Sequence, residues 1–230
     1  MDYTEWFDKT DKRKRLYIVG NSHSKDIFNV LVSSENASSS FQLGHFYTQI
    51  RLIDETFFDS KNYKLAQVVM LASRYSQKDT DALEHVISQV ISDGKKVVLV
   101  RNVFEFDQFK VEKYNLADRL VQENSEIAAD LQGDFVNKVN HQYYQNFKQG
   151  TDKLRLLKST AQIDNLAKIY KGLIVLNRMD YICDRDLNQC FAINEKLEKF
   201  FYDYGHHTLE GAKFFGGRVD KVDWLSEVLL

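Results

Sequence analysis

The chain has 230 residues, 43% hydrophobic and 28% charged, with 31 Lys+Arg against 33 Asp+Glu and a formal net charge of −2. That composition excludes an intrinsically disordered chain, which could not bury a core, and a general nucleic-acid binder, which needs a cationic excess to neutralise phosphates. The length suits one α/β domain with a sizeable core.

Met1 to Thr10 mixes aromatic and charged side chains, unlike a signal peptide. No apolar stretch reaches the roughly 20 residues that span a bilayer. Export would therefore have to be directed by sequence beyond these residues, and the chain taken alone would be cytoplasmic. Lys12 to Arg15 form a small basic cluster, read as a solvated face or a membrane-proximal linker. Residues 1–15 are accordingly expected to be an N-terminal linker and residues 16–230 one domain.

Leu16-Tyr17-Ile18-Val19 is a short β-rich run ended by Gly20, and Ser24 to Val32 can follow as a helix. Ser33 to Ser40 reads as a polar loop, and Phe41 to Ile50 as a further strand. Ala66-Gln67-Val68-Val69-Met70-Leu71 is a near-continuous apolar run, as in a strand covered on both faces. Leu83, Val86, Ile87, Val90 and Ile91 then recur at helical spacing, and Asp93-Gly94 stops that helix. Lys96 to Val100 and Gly172 to Leu176 are the next strands, and Leu209 to Val219 resembles a closing helix. Residues 114–170 are polar with scattered apolar positions. They predict two or three helices, broken near Gly133 and Gly150, as an insertion or long crossover beside the sheet. Strands alternating with helices imply an α/β fold: a three-layer α/β/α sandwich around a mainly parallel sheet of about five strands.

Two remote segments carry the chemistry. In open parallel sheets, ligands bind beyond the carboxyl ends of the strands. Ser22 lies just past the first strand, where a helix N-terminus would aim backbone N–H groups and a positive dipole end at a developing oxyanion. Ser22 or Ser24 would equally suit a helix N-cap. At the other end of the chain, Asp203 precedes His206 by three residues. That interval lets a carboxylate accept from the imidazole Nδ1 and leaves Nε2 to take a serine proton. The adjacent His207 competes for that role, and spacing does not separate the two. His23 is expected to pack or hydrogen-bond beneath the first turn, and Tyr143, Tyr144 and Phe147 to form a core-facing helix stripe. Cys183 and Cys190 stand seven apart, a spacing that permits a loop-closing disulfide without requiring one. Two thiols offer no metal cluster, and no metal is expected.

Gly20-Asn21-Ser22-His23-Ser24 resembles the first block of the SGNH hydrolases, usually Gly-Asp-Ser and in one branch Gly-Asp-Ser-His-Ser. Asp203-Tyr204-Gly205-His206-His207-Thr208-Leu209-Glu210-Gly211-Ala212 is similar to the last block, Asp-x-x-His, followed in that branch by Leu-Ser/Thr-x-x-Gly-Ala. The branch is the SGNH domain fused to acyltransferase-3 membrane proteins, which O-acetylate surface polysaccharides. Leu71-Ala72-Ser73-Arg74-Tyr75-Ser76 resembles its Leu-Ala-x-Arg-Trp strand end, and Cys183 and Cys190 lie where it often has two cysteines.

The resemblance implies a flavodoxin-like SGNH-hydrolase domain over 16–230, with Ser22 as nucleophile, His206 as general base and Asp203 as its orienting partner. Arg74 would be an anion or carbonyl ligand, against the competing reading of a surface salt bridge. Two departures stand out: Asn21 replaces the usual Asp, and the Gly-x-Asn-Asp block that supplies an oxyanion asparagine is not found. Gly44 is a possible second oxyanion donor by position, Asn21 stands with Gly44 and Arg74 as a candidate oxyanion or substrate-binding residue, and Asn102 lies near a strand end without matching neighbours.

The activity so implied is that of a serine esterase or carbohydrate O-acetyltransferase working through an acyl-serine. It needs no permanently bound cofactor. Transfer would draw on acetyl-CoA or a membrane acyl relay, and on an acyltransferase-3 membrane domain as partner in a periplasmic or other extracytoplasmic setting. The alternative is a catalytically silent carbohydrate-binding or scaffold domain on the same fold.

Overall fold

A computed structural model describes residues 4–109, 114–123, 132–150 and 152–230. Strand β1 (Lys14–Gly20) leads into helix α1 (Ser22–Val32). Helix α2 (Glu35–Ser40) and strand β2 (Phe41–Tyr47) follow, then a 3-10 turn at Ile50–Leu52 and the short helices α3 (Glu55–Phe58) and α4 (Lys61–Leu65). Next come β3 (Val68–Ala72), α5 (Gln77–Ser92), β4 (Lys96–Val100), the two-residue strands β5 (Gln108–Phe109) and β6 (Tyr114–Asn115), and helix α6 (Leu116–Glu123). Helices α7 (Gln132–Gln149) and α8 (Lys153–Ile169) lead to β7 (Ile174–Leu176) and α9 (Met179–Ile182). The hairpin strands β8 (Cys183–Asp184) and β9 (Gln189–Cys190), then α10 (Leu209–Lys221) and α11 (Ser226–Leu229), complete the chain.

The central sheet has the order β2-β1-β3-β4-β7, and every pairing in it is parallel. Both faces are covered, which explains why β1, β3 and β4 read as continuous apolar runs. Leu16, Ile18, Met70, Val98 and Val100 point into the layer that holds α1, α7 and α10. Tyr17, Val19, Val69, Leu71, Val97 and Leu99 point to the opposite layer, with α5 and α8. Successive strand residues face opposite sides, so each strand feeds two cores at once.

Two expectations need correction. The stretch Ser33 to Ser40 is not a loop throughout: Ser34 caps α2 by accepting from the Ala37 N–H, and Ala37 is buried in the core. The polarity of this helix misled because only one of its side chains faces inward. The helix after β1 begins at Ser22, two residues earlier than predicted, and its N-cap is Asn21 rather than Ser22 or Ser24. The polar middle is the β4-to-β7 crossover, with α7 and α8 parted at Gly150 and Gly133 near the start of α7. Tyr143 and Tyr144 are buried and Phe147 packs against them, so this stripe is core.

The segment before β1 lies against the domain from residue 4 onward. Phe7 is buried against Tyr17, Asp8 N–H donates to Gln42 Oε1, and Trp6 N–H donates to Asn62 Oδ1. In this order of strands the connections reverse direction between β1 and β3. A crevice opens there, beyond their carboxyl ends.

Candidate active site

Gly20 ends β1 with φ +154°, and a Cβ there would lie 1.7 Å from the Ala72 carbonyl oxygen. Only glycine lets β1 pass this close to the end of β3. The contact sets the following turn beside Arg74. Asn21 then clamps the two segments: its Oδ1 accepts from the N–H groups of His23 and Arg74 at 3.2 and 3.1 Å, and its Nδ2 donates to the Arg74 carbonyl at 3.2 Å. An aspartate could take the first two bonds but not the third, since it has no hydrogen to give. The departure from the usual Asp therefore has a local reason.

Ser22 occupies the first turn of α1, half-buried, where its N–H has no acceptor within the helix. Its Oγ lies 3.2 Å from His206 Nε2. The structure thus brings the two remote segments together. His206 Nδ1 lies 2.6 Å from Asp26 Oδ2, not beside Asp203. A carboxylate has no proton to offer, so Nδ1 carries the hydrogen and Nε2 is free to accept from the serine.

Asp203 instead ties off the turn: its Oδ1 accepts the N–H groups of Gly205 and His206 at 3.0 and 2.8 Å. The expected pairing of Asp203 with the imidazole is corrected for a hydrogen-bonding reason. Asp203 Oδ1 is engaged by two backbone N–H groups of its own turn, and Nδ1 is taken by Asp26. Asp26 reaches the ring from α1, one helical turn after Ser22 and on the same face. Its other oxygen accepts the His207 N–H at 3.3 Å. Ser-x-x-x-Asp on a helix was the available signal for it.

Burial opposes a charge on His206, but the hydrogen bond and charge of Asp26, helped by the charge of Asp203, outweigh it. His206 protonates above the ordinary 6.5. His23 stacks on the His206 ring at 4.2 Å. Burial first, then the nearby Arg178, pushes both His23 and His207 well down, so they stay neutral.

The remaining candidates are placed as follows. Arg74 is exposed, and of the two readings weighed for it the structure shows the salt bridge. It sits at the end of β3 beside Asn21 and makes an ion pair with Glu105, its NH2 group at 3.0 Å. Together with Glu105, Asp152, Arg155 and Tyr204 it lines a cleft of about 510 Å³. Gly44 is not an oxyanion donor. It lies within β2, paired with Tyr17 and three residues before the strand's carboxyl end, and a Cβ there would meet Trp6 and Phe7 at 2.9 Å. The packing of the N-terminal segment is its reason for being glycine. Asn102 turns to Tyr75, accepting its N–H at 2.9 Å. Ser24 is wholly buried and its Oγ donates to the Asn21 carbonyl, so it offers no second nucleophile.

His23, Asp26 and His206 bring ligand atoms within 4.8 Å of one another. The donor set does not suit a cation: the Arg178 guanidinium donates to His23 Nδ1 and stands 3.9 Å from Asp26 Oδ2. Cys183 and Cys190 are joined as a disulfide that closes the β8–β9 hairpin. Arg218, buried in α10, donates to the Tyr181 and Cys183 carbonyls and holds that hairpin to the domain.

A hydroxyl on an imidazole whose far nitrogen is held by a carboxylate, beside a helix N-terminus, defines the class of site found in serine-dependent acyl chemistry. The chain belongs to the SGNH family: the model for the SGNH domain (fused to AT3 domains) matches residues 3–221. Among solved structures it is similar to the periplasmic domain of a lipopolysaccharide acetyltransferase from Salmonella ser. Paratyphi A. The identity is 12% over 91% of this chain and 83% of that one, with a TM-score of 0.53. It is also similar to a putative acylhydrolase from Bacteroides fragilis NCTC 9343, at 13% identity over 96% and 90% of the two chains, TM-score 0.49. The first likeness shows the shared three-layer fold. No curated protein matches the chain.

Proposed function

We propose that this protein is a serine-dependent acyl-ester enzyme in which Ser22 is the nucleophile, His206 the general base and Asp26 the carboxylate that orients it. The observation that carries the reading is the continuous line Ser22 Oγ, His206 Nε2, His206 Nδ1, Asp26 Oδ2, with contacts of 3.2 and 2.6 Å at its two ends. Ser22 Oγ attacks the acyl carbonyl while Nε2 takes the hydroxyl proton, and Asp26 stabilises the imidazolium that forms. The oxyanion develops next to the Ser22 N–H and the positive end of α1. Collapse breaks the ester C–O bond, His206 returns the proton to the departing alcohol, and an acyl-Ser22 remains. Water would release it as an esterase does, and a sugar hydroxyl as an O-acetyltransferase does.

Membership of the AT3-fused family supports the transferase arm, with acetyl as the acyl group and a carbohydrate as acceptor. The acyl donor would then be acetyl-CoA or an acyl relay on an AT3 membrane domain, and the setting extracytoplasmic. The Cys183–Cys190 disulfide suits an oxidising compartment. Among the described residues no helix is long and apolar enough to cross a membrane.

The test is hydrolysis of p-nitrophenyl acetate with labelling by a fluorophosphonate probe. Turnover and a probe adduct mapped to Ser22 are expected, both lost in Ser22→Ala and His206→Ala, with rate losses on the order of 10³-fold or more. A wild-type rate equal to that of Ser22→Ala would leave the silent-domain reading standing.

A further inference from the structure

Arg178 is 1% exposed, among the largest wholly buried side chains of the described residues, and it lies directly behind the site. Its guanidinium donates through Nε to the Tyr181 hydroxyl at 3.2 Å, through NH1 to His23 Nδ1 at 3.2 Å and through NH2 to His207 Nε2 at 3.0 Å. The same NH2 stands 3.9 Å from Asp26 Oδ2, the oxygen that accepts from His206. A cation out of water is expensive, and an apolar side chain of similar volume often serves a core at least as well. Packing alone therefore does not account for an arginine here.

What the arginine does can be read from its partners. Guanidinium nitrogens only donate, so the ring atoms they meet must be unprotonated. His23 is held with its hydrogen on Nε2, and His207 with its hydrogen on Nδ1. Neither can take a proton on the contacted atom without driving a second cation against Arg178. His207 also occupies the position where the family pattern has leucine; an imidazole there gives the guanidinium an acceptor.

We infer that Arg178 is a positioning residue of the Ser22–His206–Asp26 site, backing Asp26 where it faces His206 and holding the rings of His23 and His207 as hydrogen-bond acceptors. The inference rests on the acyl-transfer reading and adds to it a reason why one imidazole of three exchanges protons. The groups that face His206 are Asp26 and His23 from α1, Arg178 from the turn before α9, and Tyr202, Asp203 and Tyr204 from its own segment. His23 also feels Arg74 and His207, and His207 feels Arg178 and His206. Removing the guanidinium leaves the Asp26 charge unbalanced beside His206, which raises the pH at which His206 gives up its proton.

Two measurements test this. In the wild-type protein, imidazole nitrogen NMR with isotope-labelled histidine should show His206 titrating. His23 and His207 should keep the two opposite tautomers, uncharged, until the protein unfolds in acid. Either of them titrating at the ordinary value overturns the assignment. In Arg178→Met, kcat for p-nitrophenyl acetate should fall on the order of tenfold to a hundredfold with KM little changed. The acidic limb of kcat/KM should move up by about one pH unit. A folded variant whose acidic limb stays at the wild-type position also overturns it. Should Arg178→Met fail to fold, the wild-type spectra decide. Absence of Ser22-dependent turnover in the wild type would sink the acyl-transfer reading separately and leave those spectra to judge Arg178.

Discussion

At the scale of single residues, the contrast between Asp26 and Asp203 is the sharpest point. Both carboxylates lie near His206, yet one meets the ring and the other its backbone amide. Asp26→Asn should lower kcat by about 10³- to 10⁴-fold, as expected when an orienting carboxylate is replaced by an amide. Asp203→Asn keeps an oxygen for the two turn N–H groups and should cost less than about tenfold, through the lost charge alone. Steady-state kinetics on the two folded variants decide between them, and a reversal of the order would return the role to Asp203. Asn21 gives a second prediction. Asn21→Asp sets a carboxylate oxygen against the Arg74 carbonyl in place of a hydrogen bond. That should destabilise the fold by about 1–3 kcal/mol, measured by urea unfolding.

At the scale of elements, α1 carries most of the site. Its N-cap ties β1 to the end of β3, its first turn presents Ser22 and His23, and its second turn presents Asp26. The hairpin β8–β9 plays a supporting part: its disulfide closes a short loop that Arg218 fastens to α10. A Cys183→Ala/Cys190→Ala variant should lose about 2–3 kcal/mol of unfolding free energy, by the entropy restored to a loop of this length. Chemical denaturation checks this, and Ser22 labelling should persist under conditions where the variant is folded.

The order β2-β1-β3-β4-β7, a property of the whole molecule, places the carboxyl ends of β1 and β3 side by side and gathers residues 22, 26, 74, 178 and 206 around one crevice. The same gathering couples stability to pH in two opposite ways. His23 and His207 are depressed when folded, so below their unfolded value of 6.5 the unfolded chain binds more protons, and stability falls as the pH drops from there. His206 is raised when folded, so its contribution is complete below 6.5 and is lost as the pH rises through its elevated value. The histidines together predict a thermal midpoint that declines in acid below about pH 6.5. His206→Ala should remove the His206 contribution on the alkaline side and keep the acid decline from the other two. On the proposed role of His206 as general base, whose neutral form takes the serine proton, kcat/KM should rise with pH through a midpoint above 6.5.

The strands and the long helices were legible because burial on two faces leaves continuous apolar runs and burial on one leaves helical periodicity. Ser22 and His206 were legible because each sits in a short motif whose chemistry is local. The expected packing of His23 beneath the first turn was legible too, but Asp26 and Arg178 were not picked out: the Ser-x-x-x-Asp spacing puts Asp26 on the face of Ser22 without telling which carboxylate will meet an imidazole 180 positions away. Gly44 misled for the same reason, its glycine answering to Trp6 and Phe7 rather than to a ligand. Residue order thus determined which elements form and which groups are available. The choice of hydrogen-bond partners waited for packing, because direction and distance across a crevice exist only once the layers have closed around it.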